Sequence, residues 1–178
     1  MLKILLIAIP VVLVAFLLIV ATRPSQFRVV RSATLAGPCE AVFPHVNELR
    51  LWDAWSPWAR LDPNAKTRFE GPPAGVGSVM AWAGNSKVGE GRMTLTDSRL
   101  NERVQFKLEF FKPMAGVCQA EFTFKPDGNQ TVVTWSMEGR NNFMAKAVSL
   151  FMNCDDMVGG QFEQGLANLN SVLTSMTK

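Results

Sequence analysis

From Gln26 onward the chain alternates apolar and polar positions with a period of two, then switches near its end to a period close to 3.6. Gln26 to Leu35 alternates around Phe27, Val29 and Val30 and predicts a first strand. Gly37-Pro38 then opens a helix with Glu40 early, running through Ala41, Val42, Val46 and Leu49, in which Pro44 is expected to break or kink the coil. A second short helical piece carries tryptophans up to Pro57. Thr67 to Glu70 reads as a short extra strand. Gly77 to Ala83 and Val88 to Ser98 flank Gly84-Asn85, a hairpin signal. Arg103 to Lys112 sets Val104, Phe106, Leu108 and Phe110 on one face against Gln105, Lys107 and Glu109 on the other. Gly116 to Lys125 turns Cys118, Ala120, Phe122 and Phe124 inward, and Asp127-Gly128-Asn129 leads into Thr131 to Gly139, where Val133, Trp135 and Met137 share a face. Segments of this kind are antiparallel strands with one wet face.

The helical period carries Val158, Phe162, Leu166, Leu169 and Leu173. Asp155-Asp156 stands at the start of this long helix, where acids suit the positive end of the dipole. A shorter helical stretch, Phe143 to Met152, precedes it. Gly159, Gly160 and Gly165 each weaken a helix by about 1 kcal/mol relative to Ala, so their small size is needed for close approach or for space above the sheet. The order of elements predicts an α+β layer, a curved antiparallel sheet wrapped around a long C-terminal helix with a cavity between them.

Ahead of this lies Ile4 to Ala21, eighteen residues without a charge. At about 1.5 Å of rise per residue such a run just crosses a bilayer core roughly 30 Å thick. It predicts a transmembrane anchor and linker over residues 1–24 and one domain over 25–178. Two readings compete with the anchor. A cleaved secretory signal has an apolar region of about 7–15 residues, and Ile19 with Ala21 makes a poor small-x-small pair. A buried core helix would need amphipathic spacing that the run lacks. Pro10 is tolerated in lipid better than in water. Arg23, Arg28 and Arg31 outweigh Lys3 and the amino terminus by one charge, which predicts single-pass localisation with the soluble domain in the cytoplasm. Pro10, Ala8, Ala15 and Ala21 leave a membrane protein partner open beside the membrane itself.

Composition narrows the function classes. Removing 24 residues leaves 154 of 178, enough for one domain with a sizeable core. The net charge of +3 is spread without a basic run, which gives no footprint for nucleic acid. Cys39, Cys118 and Cys154 are odd in number and widely spaced, with no metal-ligand spacing, and read as buried thiols of a reducing compartment. Asn129-Gln130-Thr131 matches a glycosylation sequon, which matters only in a secretory lumen.

The candidate chemistry is sparse. His45 is the single histidine, and a serine or cysteine triad would need it as base. A structural role competes with that one, since it sits beside Pro44. Glu90, between two glycines, is the other acid–base candidate, as a carboxylate turned into the pocket or as half of an ion pair with Arg92. Gly75-Val76-Gly77 and Gly89-Glu90-Gly91 lack the remaining spacing of a phosphate loop. No cofactor and no metal site is expected.

Trp52, Trp55 and Trp58 would form one stripe if helical, either capping the core or stacking on a ligand at the cavity entrance. Met80, Met93, Met137, Met144, Met152 and Met157 supply either ordinary core or a pliable pocket wall.

In order, Trp52-Asp53-Ala54-Trp55-Ser56-Pro57-Trp58, Leu61-Asp62-Pro63-Asn64-Ala65, Gly75-Val76-Gly77-Ser78, Trp82-Ala83-Gly84-Asn85, Val88-Gly89-Glu90-Gly91-Arg92-Met93, Val133-Thr134-Trp135-Ser136-Met137 and Gly165-Leu166-Ala167-Asn168-Leu169 give the chain a resemblance to a known superfamily. It resembles the START-like, or SRPBCC, proteins in their polyketide cyclase or dehydratase branch, over nearly everything after Ser25. The resemblance implies a helix-grip (START/Bet v 1-like) fold around a hydrophobic tunnel, and a lipid or other hydrophobic small molecule as ligand. The concave lining would be Trp55, Trp58, Met80, Trp82, Met93, Phe106, Phe122, Trp135, Met137 and Phe162. A membrane-tethered binding module is the leading expectation. A cyclase or hydrolase using Glu90 or His45, and an accessory subunit of a membrane complex, are the alternatives.

Overall fold

A computed structural model describes residues 2–150 and 153–176, with side chains from Ile9 onward and without that of Cys154. Helix α1 (Leu2–Thr22) leads into strand β1 (Gln26–Ala36). Helix α2 (Cys39–Asn47), a 3-10 helix (Leu49–Ala54) and helix α3 (Pro57–Leu61) follow. Six strands come next, β2 (Lys66–Glu70), β3 (Val79–Ala83), β4 (Glu90–Arg99), β5 (Arg103–Lys112), β6 (Gly116–Asp127) and β7 (Gln130–Arg140). Helices α4 (Phe143–Val148) and α5 (Cys154–Met176) close the described chain.

The seven strands form one antiparallel sheet in the order β1-β7-β6-β5-β4-β3-β2. Strands β2 to β7 are a meander, and β1 returns to pair with the last of them. The sheet bends around α5, whose Phe162, Leu166, Leu169 and Leu173 are buried in the core. This is an α+β, helix-grip arrangement. The helical period of those four residues and the two-residue period of the strands meet in one shared core, each fully buried Leu or Phe contributing roughly 1.5–3 kcal/mol.

Two expectations change locally. Pro44 does not break its helix: α2 runs through it to Asn47, and the carbonyl of Pro44 accepts from the Glu48 amide at 3.0 Å. The tryptophans do not share one helix, because Trp52 lies in the 3-10 helix, Trp55 ends it, and Pro57 restarts the coil before Trp58.

The larger correction concerns the start of the chain. Among the described residues no helix is long and apolar enough to cross a membrane. In α1 the side chains of Ile4 to Ala8 lie outside the described residues. Its last turns pack onto the domain: Val20 is fully buried and α1 contacts α4. The Asn141 amide donates to the Ser25 carbonyl at 2.9 Å and fastens the same junction. Ile9, Val11, Leu13 and Leu17 are among the side chains of α1 that stand exposed. The transmembrane helix over Ile4–Ala21 is therefore overturned, and with it single-pass localisation and the cytoplasmic placement argued from flanking charges.

Candidate functional site

Strand register sorts the inward side chains into rows that cross the sheet, because alternation puts every second residue on the same face. One row runs Arg31, Trp135, Phe122 and Val104. The next runs Val29, Met137, Ala120, Phe106 and Leu95. A third spans all seven strands as Phe27, Gly139, Cys118, Leu108, Met93, Met80 and Phe69. The last, at the end of the sheet, is Gly116, Phe110, Gly91, Trp82 and Thr67.

Burial falls row by row toward that end. Trp135, Phe122 and Val104 are sealed, and so are Val29, Met137, Ala120, Phe106 and Leu95. In the third row Cys118 and Met93 are buried while Phe27, Leu108, Met80 and Phe69 are only half-buried, and in the last Phe110 and Trp82 are half-buried too. The helices explain the gradient. Phe162 of α5 lies flat on Trp135, with ring centroids 4.0 Å apart and planes 7° apart, and Phe122 stacks beneath Trp135 at 4.6 Å. Trp52 and Trp55 meet Phe122 and Trp135 edge-on, and Trp58 packs against Trp135 and Phe162. The space expected to be a tunnel under α5 is thus filled with rings at this level.

Hydrogen bonds lock the filling in place. The Trp52 indole donates to the Val46 carbonyl and the Trp55 indole to the His45 carbonyl, both at 3.0 Å. The buried Asn168 amide of α5 donates to the Trp55 carbonyl at 3.0 Å. Arg31, on the edge strand, pins the first turns of α5 through Asp155 at 3.0 Å and Glu163 at 2.7 Å.

The open end has its own fixed parts. The Trp82 indole lies over Gly91, where any Cβ would collide with it, and donates to the Val88 carbonyl at 3.3 Å. Phe110 meets Trp82 edge-on at 5.9 Å. Phe27 lies over Gly139 in the same way, since a Cβ there would stand 2.8 Å from its ring. Glycine in these two strands lets an aromatic ring lie flat on the backbone. The Asp62 carboxylate accepts from the Asn85 amide at 2.7 Å and ties the end of α3 to the β3–β4 turn beside this floor.

The residues expected to line the cavity therefore divide. Trp55, Met93, Phe106, Phe122, Trp135, Met137 and Phe162 are packed core. Trp58, Met80 and Trp82 stand half-buried at its boundary. Met144 and Met157 are exposed, and Met152 lies outside the described residues. Phe27, Leu108 and Phe110 join the boundary set. Their alternation was visible in the sequence, but their partial exposure depends on where the helices end.

Neither acid–base candidate faces the apolar strip as a lone polar group. Glu90 pairs with Lys112 at 2.9 Å on the surface, not with Arg92. His45 is buried in α2, where desolvation lowers its pKa below the ordinary 6.5, and its Nδ1 has no hydrogen-bond partner among the described residues. A groove of about 160 Å³ lies on the opposite, outer face of the sheet, lined by Arg28, Gln105, Gln119, Glu121, Ser136 and Glu138. Its polar walls do not suit an apolar ligand. Among the described residues no group of three or more His, Cys, Asp or Glu is placed to hold a metal ion.

Comparison with known proteins agrees with this geometry. The family described as polyketide cyclase / dehydrase and lipid transport matches residues 26–174. Protein MLL2253 from Mesorhizobium loti superposes with a TM-score of 0.62 at 14% identity, over 85% of this chain and 99% of that one. Ara h 8.0201 gives 0.59 at 9% identity, over 84% and 99%. DynU16, a putative protein of the dynemicin biosynthetic locus, gives 0.56 at 13%, over 83% of this chain and 47% of that one. At such identities the likeness shows the fold alone. No curated protein matches the chain.

Proposed function

Since the chain belongs to the polyketide cyclase / dehydrase and lipid transport family, we propose that residues 25–178 form a binding module for a hydrophobic small molecule or lipid, held at the open end of the concave face. The observation that carries this reading is the burial gradient across the rows. The inner face is sealed at Trp135 and half-open at Phe27, Met80, Trp82, Leu108 and Phe110. A half-exposed apolar strip on a concave face gains about 25 cal/mol per Å² when a ligand covers it. Ligand sites of this sort are concave and mostly apolar.

Acid–base catalysis receives no comparable support. It needs a polar group within hydrogen-bond reach of bound substrate, and Glu90 is engaged by Lys112 while His45 is packed in α2.

Incubating the protein with a total lipid extract and weighing it intact by native mass spectrometry tests the proposal. The expected result is a discrete set of apolar adducts that Trp82→Ala weakens and Met137→Leu leaves in place. A protein that stays bare, or adducts indifferent to Trp82, would overturn it.

A further inference from the structure

We infer that two copies of this chain associate through α1 and α4. The inference goes beyond the binding proposal and does not rest on it. From Ile9 to Ile19 helix α1 is apolar around its whole circumference. Phe16, half-buried, and Val20, fully buried and one turn further on, mark the side that rests on its own domain. Eight other large side chains between Ile9 and Ile19 stand 42% to 68% exposed.

The patch continues onto α4. This helix contacts α1 and leaves its own Phe143, Met144 and Val148 exposed. The two helices are far apart in sequence and adjacent in the fold, because α1 runs into β1, α4 leaves β7, and β1 pairs with β7. The hydrogen bond from the Asn141 amide to the Ser25 carbonyl ties the two connections together. Both helices therefore belong to one surface fastened to the domain. Together they leave on the order of 1,000 Å² of apolar surface in water. The largest patch on a typical monomer is about 300–600 Å², and one side of a stable interface covers about 800 Å².

The shape of the patch points to its occupant. A helix that is apolar on every side needs neighbours on every side. Within the chain α4 supplies one. A two-fold axis beside α1 supplies two more at once, since it brings the second copy's α1 and α4 against it. Each α1 then lies inside a layer of four helices. Lipid does not offer the same match. Among the described residues no helix is long and apolar enough to cross a membrane. A helix lying in a membrane surface keeps a charged or polar face toward the headgroups, and Ile9 to Ile19 has none.

The test is sedimentation velocity on the full chain at about 10 μM without detergent, where an interface of this area holds at micromolar or tighter affinity. The expected result is a discrete dimer. Leu18→Glu and Met144→Glu should each weaken association by about thirtyfold or more, because each would place an unpaired charge inside the interface. Leu100→Glu, at an exposed turn on the other end of the sheet, should leave the dimer intact. All three positions are exposed in the single chain, and far-UV circular dichroism shows whether the variants keep the native fold. A native chain that sediments as a monomer, or as a polydisperse aggregate, overturns the inference. A monomer that floats with phosphatidylcholine vesicles overturns it too and assigns the patch to lipid. A dimer that survives both Leu18→Glu and Met144→Glu overturns its placement on α1 and α4.

Discussion

The indole of Trp135 and the ring of Phe162 lie parallel at 4.0 Å, and Gly165 sits one turn further along α5 against the edge of the same indole. A Cβ at position 165 would stand 2.8 Å from Trp135 Cζ3 and 3.2 Å from Pro57 Cδ. Neither neighbour is a flexible chain end. Gly160, on the exposed side of the helix, has nothing within 4 Å of its virtual Cβ. The two glycines should therefore respond in opposite directions. Gly160→Ala should stabilise by about 0.5–1 kcal/mol through helix propensity. Gly165→Ala should be net destabilising, since overpacking costs about 1–3 kcal/mol. Urea denaturation of both variants measures the pair.

Gly159 faces the guanidinium of Arg31, so that a Cβ there would displace it from Asp155 and Glu163. Loss of Arg31 and addition of a methyl at 159 then act on the same contacts. Arg31→Ala and Gly159→Ala should be non-additive, the double variant losing less stability than the sum of the single ones. Additive losses would show that Arg31 does not work through the start of α5.

The hydrogen bond from Arg31 holds the Asp155 carboxyl below its ordinary value of 3.8. A depressed carboxyl contributes stability above its unfolded pKa and loses it as pH falls through the folded one. Asp155→Asn should be slightly less stable than the native chain at neutral pH, and the difference should vanish once the pH is well below 3.8. Thermal melts of both proteins from neutral to acid pH check this.

Much of this architecture was legible because alternation is a strong signal wherever one face is wet. Strand β5 was bounded at Arg103 and Lys112 from its pattern alone, and the inward set Val104, Phe106, Leu108 and Phe110 came with it. The tryptophans were harder. Their i, i+3, i+6 spacing suggests one helical stripe, but Pro57 interrupts the coil and sends Trp52 and Trp55 into the core while Trp58 stays at its edge. The site was legible as a face and not as a place on that face. Met80 and Met137 look alike in sequence. They differ because Met137 lies on β7 with sealed neighbours on both sides, whereas Met80 lies on β3, next to the edge strand β2 and the half-buried Phe69. That distinction comes from long-range register. The apolar run at the start shows the opposite failure, where hydropathy alone suggested a span that the described helix does not provide.

Burial lowers the pKa of His45 below 6.5, so folding favours its neutral form. The unfolded chain binds the extra proton, and stability should fall as pH drops through 6.5 toward the folded value. His45→Leu removes both the titration and the unpartnered Nδ1. It should flatten the slope between about pH 7 and pH 5 and cost little or nothing at neutral pH. An unchanged slope would assign the pH dependence to other groups.

The central claim is that ligand lies at the open end of the concave face and not beneath α5. Methionine methyl groups report both places. With ¹³C-methyl labelling of Met and titration with hexadecanol, the Met80 signal should shift and saturate while that of Met137 stays near its starting position. Saturating shifts at Met137 without Met80, or shifts confined to exposed Met114, Met144 and Met176, would contradict the account.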